Sequence, residues 1–68
     1  MKVIQLGADA HSDERHEYPE ALIVTDGAMN LIVDGAAVAV KEGGMYVVPP
    51  GVLHSVGADS SGTLVIVE

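Results

Sequence analysis

Short runs rich in Val and Ile alternate with Gly-, Pro- and Asp-containing turn signals along most of this chain, and that punctuation restricts it to a fold built from strands. The runs fall at residues 3–6, 21–25, 29–33, 37–41, 45–48, 52–56 and 63–67. Between them stand Gly7, Asp26-Gly27, Asp34-Gly35, Glu42-Gly43-Gly44, Pro49-Pro50-Gly51 and Ser60-Ser61-Gly62. Asp-Gly pairs supply the positive φ angles of tight hairpins, and a Pro-led turn needs Gly at its left-handed position. No run carries a helical period, and β-branched side chains favour a pleated surface. The expected architecture is all-β, a small barrel or jelly roll of six to seven short antiparallel strands in one domain over 1–68.

Size makes such a fold marginal. Below about 70–80 residues one core rarely supplies more than about 3–5 kcal/mol, and this chain has 68 residues. It has no cysteine, which removes disulfides and thiolate zinc sites. A bound metal or a partner chain remains as the added source of stability. Residues 21–24, 31–33 and 64–67 are apolar at successive positions, so both faces of those strands call for cover. A homodimer is therefore expected, with a second subunit against one sheet.

The formal net charge of -7 repels phosphate backbones and anionic lipid surfaces, so neither nucleic acid nor membrane is an expected partner. Met1-Lys2-Val3 leads straight to Gln5 without an apolar leader, and no run approaches a membrane span. The expected location is cytoplasmic, and the expected partner is a small molecule.

Chemistry-bearing residues concentrate in two places. The polar run 9–20 holds Asp9, His11, Asp13, Glu14, His16, Glu17 and Glu20, and in an extended segment Glu14 and His16 project to one face. His54 stands among Val52, Leu53 and Val56, more than thirty residues later. Only a closed or nearly closed barrel brings His54 to His16 and Glu20. In that dry interior an unpaired Glu20 is costly, and a cation removes the cost. Two imidazoles with one or two carboxylates suit a divalent transition metal, Mn, Fe, Ni or Zn. Each residue also has a plainer reading. Glu14, Glu17 and His11 fit solvated loop positions, Glu20 a strand-edge charge that blocks aggregation, and His54 a hydrogen-bonded core histidine. Arg15 fits a salt bridge in the acidic loop, Tyr18 a rim position, and Tyr46 the cavity or its filling.

The stretch Gly43-Gly44-Met45-Tyr46-Val47-Val48-Pro49-Pro50-Gly51-Val52-Leu53-His54 resembles the second motif of the cupin family: Gly, a short apolar strand, Pro-x-Gly, two residues and His. His16, Glu20 and Gly27 match the tail of that family's first motif. Glu14 stands where the first motif has its first His, and Ala58 where the second motif often has Asn. The resemblance implies a jelly-roll barrel with a metal held by His16, Glu20, His54 and Glu14. It implies a dioxygenase, isomerase, decarboxylase or lyase acting on a small oxygenated molecule. The missing first His leaves a second reading, a metal-free ligand-binding or structural module without catalysis.

Overall fold

The computed structural model describes residues 1–7 and 13–68. Among these residues six strands carry the fold: β1 (Lys2–Leu6), β2 (Glu20–Val33), β3 (Ala36–Lys41), β4 (Met45–Val48), β5 (His54–Val56) and β6 (Ser61–Val67). Among the described residues no helix is long and apolar enough to cross a membrane. All pairings are antiparallel, in the order β1-β6-β2-β3 with β4 and β5 also on β2. The sheet is not closed, since β1 pairs only with β6 and β3 only with β2 among the described residues.

β2 organises everything else. Ala21 lies opposite both Val47 and Val67, and Leu31 opposite both Val38 and Val56. One edge of β2 is thus bordered by β4 and then β3, and the other by β6 and then β5. A single 14-residue strand replaces the two that the sequence leads one to expect at 21–25 and 29–33. Asp26-Gly27 forms no hairpin turn. The register shifts between Val24 and Asp26, and Gly27 (φ 82°) faces Gly62 (φ 101°) across the ladder. A Cβ on Gly27 would lie 2.1 Å from the Ser61 carbonyl oxygen, so the backbones meet closer than any side chain permits. A bulge and a tight turn need the same positive φ, and for that reason Asp-Gly signals either.

The bulge also decides what faces inward. Before it the buried residues of β2 are Glu20, Leu22 and Val24; after it they are Met29 and Leu31. The extra residue switches the inward set from even to odd positions, so one bent strand feeds one core at both ends. Leu6, Val40, Val48 and Leu64 complete that core. Tyr46 packs against it, half-buried opposite Leu22. The gap between β6 and β5 along β2 is closed by Ser60: Asn30 N–H donates to its hydroxyl at 2.9 Å, and the hydroxyl donates to the Gly57 carbonyl at 2.9 Å.

Two other turns behave as their residues dictate. Asp34 (φ 49°) and Gly35 (φ 81°) both adopt positive φ and join β2 to β3. In 49–52, Gly51 (φ 78°) follows Pro50, and Val52 N–H points back to the Pro49 carbonyl at 3.4 Å. Among the described residues part of the outer face of the sheet is apolar and exposed. Val3, Val65, Ile23 and Met45 form one cross-strand row, with Val67, Ala21 and Val47 in the next. Val3 and Met45 are 68% and 61% exposed.

Candidate metal centre and its cavity

Four side chains meet where β2 begins and β5 begins. Glu20 opens β2 on its inward face, opposite Val48, and is buried. His54 opens β5 opposite Val33 and is buried as well. Glu14 and His16 come from the segment preceding β2, which the backbone pins in place. Glu14 N–H donates to the His54 carbonyl at 2.7 Å, and His54 N–H donates to the Glu14 carbonyl at 2.9 Å. Gly51 N–H donates to the His16 carbonyl at 2.7 Å. An antiparallel bridge puts the side chains of Glu14 and His54 on the same side, and His16 follows two residues on. The Pro-Gly turn therefore holds both the loop and the start of β5.

The ring of His54 is held at both nitrogens. Its Nδ1 lies 3.1 Å from the Val52 carbonyl oxygen, which accepts only, so Nδ1 carries the proton. In the neutral ring Nε2 then presents a lone pair, and it faces Glu20 Oε1 at 3.1 Å. Two lone pairs at that range repel unless positive charge lies between them, as a shared proton or a metal ion. A histidine whose other nitrogen donates to a backbone carbonyl is the usual arrangement of a metal ligand. The same crowding recurs at His16, whose Nε2 lies 3.1 Å from Glu14 Oε2 and 3.5 Å from Glu20 Oε2.

Donor spacing fits a metal. Ligands about 2.1 Å from an ion lie about 3.0–3.4 Å from one another in octahedral or tetrahedral geometry. The contacts of 3.1 and 3.5 Å match the edges of such a polyhedron. One donor atom each from Glu14, His16 and His54 lies within 4.8 Å of the other two. Glu20 reaches both imidazoles through its two oxygens, and its side chain is only 6% exposed. Glu14, His16 and His54 can thus converge on one ion, and Glu20 stands beside both imidazoles. When bound, a divalent metal supplies Lewis acidity toward a ligand oxygen.

A cavity of about 60 Å³ opens beside these groups. Ile4, Leu6, Leu22, Val56, Leu64 and Ile66 form its apolar wall, and Glu14, Glu20, His54 and Ser55 its polar end. Tyr18 stacks on His16 with ring centroids 5.0 Å apart, and its hydroxyl donates to Glu68 Oε2 at 2.9 Å. That bond holds the Glu68 carboxyl below its ordinary range, with Lys2 at 3.6 Å adding to the effect, and it raises the Tyr18 hydroxyl above its own.

The four residues singled out from the sequence come together. His11 and Asp9 lie outside the described residues. Glu17 is exposed, Arg15 is exposed, and Tyr18 occupies the rim as expected. Tyr46 does not line the cavity. Sequence reading missed the orienting Val52 carbonyl, the Glu68 tether of Tyr18 and the gap-filling Ser60. None has a local signature, because each acts through a partner that the fold supplies.

The family model described as a cupin domain matches residues 1–68. A crystal structure of an RmlC-like cupin from Shewanella frigidimarina NCIMB 400 superposes with a TM-score of 0.81 at 23% identity. That likeness covers 94% of this chain and 59% of the other, so the chain spans well under two thirds of that relative's length. At this identity the likeness bears on the fold alone. Comparison with curated proteins gives no match.

Proposed function

The chain belongs to the cupin family, and from that premise we propose that it binds a small oxygenated molecule through one divalent metal held by Glu14, His16 and His54, with Glu20, in contact with both imidazoles, as the fourth ligand. The observation that carries this reading is the His54 ring. Its Nδ1–H is committed to Val52, and its Nε2 is aimed at a buried carboxylate 3.1 Å away. Four donors leave coordination positions on the cavity side, where a carbonyl or hydroxyl oxygen can approach and be polarised. With no Cys in the chain and no Lys among the lining residues, the site offers neither of those nucleophiles. Calorimetric titration of the metal-free protein with Mn²⁺, Ni²⁺ and Zn²⁺ tests the reading. One site per chain, lost in His54→Ala, supports it; identical binding by the variant contradicts it.

A second reading rests on the same contact. A shared proton between His54 and Glu20 also satisfies the pair, and the chain is then a metal-free binding module.

We also propose that the protein is a homodimer joined through the outer sheet face. On that face Val3, Met45, Val47 and Val67 are exposed, and they flank the half-buried Ala21, Ile23 and Val65 across four neighbouring strands. Its cross-strand rows carry no charge on a chain of net charge -7, and such a patch complements a second copy of itself.

A further inference from the structure

We propose that the cavity beside the metal site accepts small uncharged molecules with a compact hydrocarbon body and rejects anions of the same shape. This rests on the reading of the centre as a metal site and adds the charge class of its ligand. The wall is aliphatic, and no Lys or Arg is among the lining residues. On β1, Lys2 shares the side of the strand that Ile4 and Leu6 occupy. Its side chain is 65% exposed and its ammonium lies 3.6 Å from Glu68, so its charge is already answered at the rim. Arg15 and Lys41 are exposed and do not line the cavity.

The charge balance follows. The two carboxylates at the polar end, Glu14 and Glu20, offset the two charges of a divalent ion. A neutral ligand leaves the filled site neutral. A carboxylate or phosphate leaves it net negative against an aliphatic wall, with no cation to compensate among the lining residues and a chain of net charge -7 around it. A carbonyl, amide or hydroxyl oxygen faces the metal without that penalty, and the hydrocarbon part displaces water from Ile4, Leu6, Leu22 and Leu64. Volume sets the size. One water needs about 10–15 Å³ on this measure, so about 60 Å³ holds a ligand of roughly four to six non-hydrogen atoms.

Isobutyramide, isobutyrate and isobutyramidinium share one branched skeleton and differ in charge, which makes them the probes. Zinc binding is first measured by calorimetry, and each probe is then titrated into ¹⁵N-labelled protein, zinc-loaded and metal-free, by NMR. On the zinc-loaded protein isobutyramide is expected to bind at least tenfold more tightly than isobutyrate, with the largest shifts at Leu6, Leu22 and Leu64. On the metal-free protein the amidinium is expected to bind at least tenfold more tightly than isobutyrate, because Glu14 and Glu20 line the polar end and no Lys or Arg does. Isobutyrate binding the zinc-loaded protein as tightly as the amide overturns the proposal, as does an absence of shifts from isobutyramide. If calorimetry detects no zinc site, the metal reading alone has failed. The metal-free series then decides: isobutyramide binding at least tenfold more tightly than isobutyrate upholds the acceptance of uncharged ligands and rejection of anions, and equal binding overturns it.

Discussion

Replacing Glu20 by Gln separates a metal site from a proton-sharing pair. The Glu20 side chain is 6% exposed, and its oxygens lie 3.1 Å from His54 Nε2 and 3.5 Å from His16 Nε2. With the His54 Nδ1–H held by Val52, the side-chain amide that Glu20→Gln introduces can donate to the Nε2 lone pair that the carboxylate opposes. The substitution therefore removes a desolvated charge and adds a hydrogen bond. Without metal and at neutral pH, E20Q is expected to be more stable by about 1–2 kcal/mol. In a domain of this size that raises Tm by roughly 4–15 °C. With metal at about 100 times its dissociation constant, the wild type gains about 2.7 kcal/mol. Loss of the carboxylate weakens affinity roughly 100-fold, which cuts the variant's gain at the same concentration to about 0.4 kcal/mol. Thermal unfolding of both proteins by circular dichroism, with EDTA and with Zn²⁺, reads all four values. A metal-free variant that melts below the wild type refutes the reasoning, because Glu20 is then stabilised by a protonated His54 and the pair is complete without metal.

Three further outcomes follow from other parts of the fold. In Gly62→Ala the new Cβ would lie 1.9 Å from the Asp26 carbonyl oxygen at a φ of 101°. Strain of about 3 kcal/mol or more rivals the whole stability of so small a domain, so far-UV circular dichroism should show a largely unfolded chain; an unchanged urea midpoint contradicts the bulge geometry. Tyr18→Phe tests the rim. The carboxyl of Glu68 is lowered from 4.5, so its contribution is present above that pH and is lost as pH falls through the folded value. The hydroxyl of Tyr18 is raised from 10.0, so its contribution is present below that pH and is lost as pH rises through the folded value. The urea-midpoint gap between wild type and Y18F should thus be widest near neutrality and close at both ends; a pH-independent gap speaks against the bond. Met45→Lys places a charge at the β4 end of the outer apolar row, at a side chain 61% exposed in the monomer. Light scattering after gel filtration should give a dimer for the wild type and a monomer for the variant, and two monomers or two dimers contradict the interface.

Most strand positions and the site were legible because their signals are local. Asp34-Gly35 and Pro50-Gly51 signal turns by local chemistry, with Gly35 and Gly51 at positive φ, and 45–48 is bounded by turn chemistry on both sides. His16, Glu20 and His54 stood at spacings shared with the cupin motifs, and the fold brings them within 3.1–3.5 Å contacts. Asp26-Gly27 misled because local chemistry does not distinguish a turn from a bulge. The difference lies in Gly62, 35 residues later, which lets two backbones touch. The tautomer of His54 was equally beyond the sequence, since it depends on which carbonyl the Pro-Gly turn aims at Nδ1. The open sheet also had no local signal: barrel closure depends on whether β1 and β3 meet, and they remain its two ends.

The central claim is that these four side chains hold a metal. Its most direct test is elemental analysis by plasma mass spectrometry of tag-free protein, reconstituted with metal and dialysed without chelator, beside His54→Ala treated identically. The account predicts about one Mn, Fe, Ni or Zn per wild-type chain and almost none in the variant. No retained metal in the wild type, or equal metal in both, contradicts it.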